Sequence, residues 1–103
     1  MLRKALISCA FFSLAGLPAL AATSALVVGV DVYPHEVSLD GAVKDARDLA
    51  QALKAADVRT IREFINEQAT KDAIRAGWLE LVGAATKGDT IIFTYAGHGA
   101  QMP

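Results

Sequence analysis

Ser24 is followed by Ala-Leu-Val-Val-Gly-Val30, and Thr90 opens a second run, Thr-Ile-Ile-Phe-Thr-Tyr-Ala96; both are too short for a helix and too apolar to leave one face wet. Runs of this kind are strands covered on both sides, the environment of a parallel sheet between layers of helix. Gly29 lies inside the first run, where a glycine marks the close approach of another backbone or side chain. Between the runs the period changes. Ala42, Val43, Ala46, Leu49, Ala50 and Leu53 recur at helical spacing and predict a helix from about Gly41 to Ala56, with Asp40 as N-cap and Lys44, Arg47, Asp48, Gln51 and Lys54 on its polar face. Val58 to Ile65 reads as a middle strand. Thr70 then caps a second helix reaching about Ala85, whose stripe of Ile74, Trp78, Leu81, Val82 and Ala85 predicts a core position for Trp78. Gly77 within it predicts a tight packing contact, since glycine costs a helix interior about 1 kcal/mol relative to alanine. The order strand, helix, strand, helix, strand predicts an α/β fold, a βαβαβ unit around a parallel sheet.

The start of the chain belongs to a different category. Arg3 and Lys4 precede an apolar stretch from Ala5 to Leu17, and Ala19-Leu20-Ala21 supplies the small-x-small pattern of a cleavage site, so residues 1–21 are expected to be a secretory signal peptide. The apolar run is shorter than the roughly 20 residues needed to cross a bilayer, so no stable membrane anchor is expected. Leu6-Ile7-Ser8-Cys9 superficially resembles an acylation site, but the apolar run continues past it. Export to a periplasmic or extracellular location leaves residues 22–103 as one small domain at most. Cys9 is the only cysteine, so the segment after the signal carries no thiol and no disulfide. The formal net charge is −1 and becomes more negative once Arg3 and Lys4 are removed, which does not favour a nucleic-acid partner.

Ligands of open parallel sheets sit beyond the carboxyl ends of the strands. The loop Asp31 to Asp40 leaves that edge after the first strand, and Gly97 to Gln101 leaves it after the last. His98 therefore stands where chemistry is expected. Gly97 and Gly99 on either side free the backbone to fold tightly and to offer bare N–H groups. The plain alternative is a glycine-rich turn with an incidental surface histidine. No Gly-x-Gly-x-x-Gly or Walker loop follows the first strand, so no nucleotide is indicated. Zinc is unsupported as well, because His35 and His98 are the only histidines and no cysteine accompanies them.

Taken in order, Ala25-Leu-Val-Val-Gly-Val-Asp-Val-Tyr33-Pro34, Leu39-Asp-Gly-Ala-Val-Lys-Asp45-Ala46, Ala69-Thr70-Lys71 and Gly88-Asp89 through Tyr95-Ala-Gly-His98-Gly-Ala-Gln101 closely resemble the N-terminal part of the caspase-like cysteine peptidases (peptidase C14), especially the metacaspase and bacterial caspase-like branch. The resemblance implies part of a caspase-hemoglobinase parallel-sheet sandwich, incomplete at the C-terminus, and a polypeptide substrate. It assigns His98 as the catalytic histidine and the backbone N–H of Gly99 as an oxyanion donor. Both roles suit the chemistry: an imidazole lowers the pKa of a thiol, and an unobstructed N–H receives developing charge. Asp45 matches an aspartate of the metacaspase acidic specificity pocket, while Leu39 stands where animal caspases place a substrate-binding arginine, so cleavage after Arg or Lys is implied. The alternative for Asp45 is an ordinary first-turn helix carboxylate. For cofactors, the segment indicates none, and the resemblance alone allows calcium. Its cysteine would follow the histidine by roughly 50 residues, beyond Pro103. The segment is thus expected to be a fragment, or a truncated product without activity.

Rival readings remain open: a non-catalytic pseudo-peptidase used for recognition, and an α/β-hydrolase with a His-Gly oxyanion loop and a later Gly-x-Ser-x-Gly. The hydrolase scheme gives no role to Leu39–Ala46 or to Tyr33-Pro34.

Overall fold

The computed structural model describes residues 21–99 and contains β1 (Thr23–Gly29), α1 (Ala42–Ala55), β2 (Thr60–Ile65), a short 3-10 turn (Asn66–Gln68), α2 (Lys71–Ala84) and β3 (Thr90–Ala96). The expected signal peptide lies outside the described residues except for Ala21, as do Ala100 and Gln101. The strands form one parallel sheet in the order β2-β1-β3, so β1, the most apolar strand, takes the centre. Ala25, Leu26, Val27 and Val28 are 0% exposed, as a strand covered on both faces requires. Each of the larger three gains about 1.5–3 kcal/mol from complete burial.

Alternation along β1 divides the core in two. Ala25 and Val27 pack with Ala46 of α1 and with Val58, whereas Leu26, Val28 and Val30 pack with Leu81 of α2. The helices cover opposite faces for a topological reason. One crossover runs from β1 outward to β2, the next runs back across β1 to β3, and right-handed crossovers in opposite directions place their helices on opposite sides. The α/β reading of the sequence therefore holds. Gly29 seats α1: a Cβ there would lie 2.6 Å from the Ala46 Cβ and 3.1 Å from the Ala42 carbonyl oxygen.

Some local expectations are corrected. Asp40 does not cap α1. Gly41 occupies the cap position at φ 148°, and the capping acceptor is Asp31, whose Oδ1 receives the N–H groups of Ala42 (2.8 Å) and Val43 (3.3 Å). The loop makes this possible by returning on itself, with Leu39 N donating to the Asp31 carbonyl at 2.6 Å. Thr70 does cap α2, accepting from Ala73 N at 3.1 Å. Trp78, however, is 38% exposed and Val82 45% exposed. Gly77 determines this rotation: a Cβ there would meet the Phe64 ring at 2.9 Å, so the helix lies closest to the sheet along Gly77 and Leu81. Trp78 is displaced toward β3, where its ring meets Phe93 edge-on with centroids 6.3 Å apart. β3 is less covered than its composition implied, because Phe93 and Tyr95 are about half exposed while Ile91 and Ile92 pack on the two cores.

Candidate active site

The carboxyl edge of the sheet is built around the residues that directly follow each strand. Val30 N donates to the Ala96 carbonyl at 3.0 Å, holding the ends of β1 and β3 together. Asn66, following β2, accepts at Oδ1 from Asp31 N (2.8 Å) and Val32 N (3.3 Å). Asp31 thus receives support through its amide, holds Leu39 through its carbonyl and caps α1 through its carboxylate. The whole loop from Val32 to Asp40 is suspended from this residue.

That loop reaches His98. The imidazole Nε2 lies 2.8 Å from the carbonyl oxygen of Val37. A carbonyl only accepts, so Nε2 carries the hydrogen and the neutral ring keeps Nδ1 as its acceptor. The Val37 side chain is 81% exposed; its backbone alone contributes. His98 also packs against Tyr33, with ring centroids 4.8 Å apart and planes tilted by 60°.

Tyr33 of the suspended loop and Tyr95 near the end of β3 meet beneath the histidine. His98 N donates to the Tyr33 hydroxyl at 2.6 Å, the Tyr95 hydroxyl donates to the His98 carbonyl at 2.7 Å, and the hydroxyls lie 3.0 Å apart. The hydrogen bond with Tyr33 comes first, and partial burial second, in pushing the Tyr95 phenol up to about 12. Gly97 has a specific reason to be glycine, since a Cβ would collide with the Tyr33 hydroxyl and lie 2.8 Å from that of Tyr95. The expectation that both flanking glycines bare their neighbours' N–H groups is thereby amended. The His98 N–H is occupied, whereas a Cβ on Gly99 would meet nothing within 4 Å, leaving that side open.

Asp45 is exposed in the first turn of α1, at the same edge of the sheet. Among the described residues its carboxylate makes no hydrogen bond or ion pair and does not touch His98. His35 is exposed on the suspended loop. Among the described residues no group of three or more His, Cys, Asp or Glu side chains gathers that could hold a metal ion. No helix among them is long and apolar enough to cross a membrane. A cavity of about 540 Å³ lies at the opposite, amino edge, lined in part by Ser24, Val58, Thr60 and Asp89. It contains no histidine and lies away from His98.

Sequence reasoning passed over Val37, Asp31, Asn66 and the partnership of Tyr33 with Tyr95. The tyrosines carried the one available signal, being the chain's only two and standing where the strands end.

The family profile described as the caspase domain (peptidase C14) matches residues 22–103, and so includes every residue of this site. Comparisons with curated proteins and with solved structures give no match.

Proposed function

Because the chain belongs to the caspase-domain family of caspase-like cysteine peptidases, we propose that it forms the histidine half of a thiol endopeptidase site, of the metacaspase or bacterial caspase-like branch, with His98 as the dyad imidazole. The observation that carries this reading is the 2.8 Å contact between His98 Nε2 and the Val37 carbonyl. It fixes one tautomer and leaves Nδ1 free to accept a thiol proton.

The nucleophile in this reading is a cysteine of the complete polypeptide beyond Pro103. Its proton passes to Nδ1, and the thiolate attacks the scissile carbonyl to give a tetrahedral oxyanion. The Gly99 N–H, unobstructed on its Cα, is offered as a donor to that oxyanion. Collapse breaks the C–N bond as the imidazolium returns its proton to the leaving amine, and water then hydrolyses the thioester. Asp45 is the counter-charge for a substrate Arg or Lys, supported by its exposed position at the carboxyl edge and by its standing outside the ion pairs formed among the described residues. Export and cleavage after Ala21 belong to the same reading, on the strength of the N-terminal pattern.

The test is made on the full polypeptide with peptides differing only in the residue before the scissile bond. His98→Ala is expected to lower kcat by about 10²–10⁴-fold with the fold retained. Asp45→Ala is expected to weaken cleavage after Arg and Lys far more than after Ala. Undiminished cleavage in His98→Ala would overturn the dyad, and an unchanged preference in Asp45→Ala would return that residue to its helix-end role. Peptide binding without any turnover by the wild type would establish a recognition domain instead.

A further inference from the structure

We propose that Tyr33 and Tyr95 are positioning residues that hold the His98 peptide from both sides through a closed chain of hydrogen bonds. The inference rests on the proposed function only for its kinetic consequence. The chain itself follows from the geometry.

Each phenol has one hydrogen to donate, which fixes the direction of every bond. The Tyr95 hydroxyl gives its hydrogen to the His98 carbonyl, so in the 3.0 Å contact between hydroxyls it can only accept, and Tyr33 donates. Tyr33 in turn accepts from His98 N. The circuit runs from the His98 N–H to Tyr33, from Tyr33 to Tyr95, and from Tyr95 to the His98 carbonyl. Both backbone groups of one residue are satisfied with no hydrogen left over.

His98 needs such a device because β3 ends at Ala96 and the strand ladder no longer fixes its peptide. Packing does not explain Tyr95, which is 47% exposed and whose hydroxyl is the part in use, whereas Tyr33 also rests its ring on the core of Leu26, Val28, Val30 and Leu81. Gly97 belongs to the same arrangement, because any Cβ there would displace the Tyr33 hydroxyl. With the peptide held below and Nε2 held by Val37, the imidazole is fixed at both ends of its side chain. Nδ1 is thereby aimed before substrate arrives, the condition under which a positioned base contributes most.

The circuit predicts an asymmetry between conservative variants. Tyr33→Phe removes the acceptor of the His98 N–H and the donor to Tyr95, whereas Tyr95→Phe leaves the His98 N–H bond in place. In the full polypeptide, amide hydrogen exchange at His98 should quicken by about tenfold or more in Tyr33→Phe and by clearly less in Tyr95→Phe. On a cleaved peptide, Tyr33→Phe should lower kcat by about tenfold with KM nearly unchanged, the mark of positioning rather than of substrate binding. Unaltered exchange at His98 in Tyr33→Phe would overturn the circuit. A wild type that cleaves nothing would remove the peptidase reading, while exchange at His98 would still decide the circuit.

Discussion

The carboxylate of Asp31, at the end of β1, accepts a hydrogen bond at 2.8 Å from the backbone N–H of Ala42, capping a helix that begins eleven residues later. A remote cap of this kind ties helix stability to loop position. Asp31→Ala should destabilise the protein by about 0.5–2 kcal/mol, the range for loss of an N-cap acceptor. Asp31→Asn keeps an acceptor oxygen and should cost less. Denaturant midpoints at constant slope give the comparison, and equal losses in the two variants would show that the charge rather than the cap matters.

The extent to which this edge was legible in the sequence follows from where its information resides. The β1 run and the Thr70 cap are local signals, and both elements form as read. Trp78 was misplaced because a helical stripe gives period but not rotation; the rotation is fixed by the approach of Gly77 to Phe64, a contact between α2 and β2. Val37 acts through its carbonyl, which every residue possesses, so its side chain announces nothing. Asp40 reads as the cap because it adjoins the helix in sequence, whereas Asp31 reaches Ala42 only through the return of the loop. The Gly97-His98-Gly99 turn is likewise a local signal, and it leaves the carboxyl end of β3 where the sequence places it.

Gly29→Ala tests the seat of α1. Its new methyl group would lie 2.6 Å from the Ala46 Cβ and 3.2 Å from the Val43 Cα, so the helix must shift. Overpacking of this sort costs about 1–3 kcal/mol. Ala46→Gly removes the nearest clashing atom, and the double variant should recover part of the loss. Strict additivity in that double-mutant cycle would contradict the packing account.

Alkaline stability carries the signature of Tyr95. Its pKa is raised in the folded protein to about 12 from an ordinary 10.0, first by the hydrogen bond with Tyr33. Between these values the unfolded chain has lost the phenol proton and the folded chain retains it, so unfolding is favoured increasingly as pH rises. The stabilisation is complete below pH 10 and is lost as pH climbs toward 12. Tyr95→Phe, which removes the titrating phenol, should flatten this limb of a stability profile, compared at matched ionic strength. An equally steep decline in that variant would assign the limb to other groups.

Asp89 joins the beginning of β1 to the turn before β3. Its Oδ1 accepts from Ala22 N and its Oδ2 from Thr86 N, each at 2.9 Å, and these backbone bonds, Thr86 first, hold its carboxyl below the ordinary 3.8. A depressed carboxyl contributes stability above its unfolded pKa and loses it as pH falls through the folded one, so Asp89→Asn should matter near neutrality and progressively less in acid. The proposed export would add a further consequence. Cleavage between Ala21 and Ala22 would turn the Ala22 amide into an ammonium group facing that carboxylate, and a charge-assisted bond is stronger than a neutral one. Asp89→Asn should therefore lower the melting temperature of a polypeptide beginning at Ala22 by more than it lowers that of the same polypeptide acetylated at Ala22. Added salt should narrow the gap, since the group is exposed. Identical losses in the free and acetylated forms would separate Asp89 from the processed terminus and leave it a local clamp of the Thr86 turn.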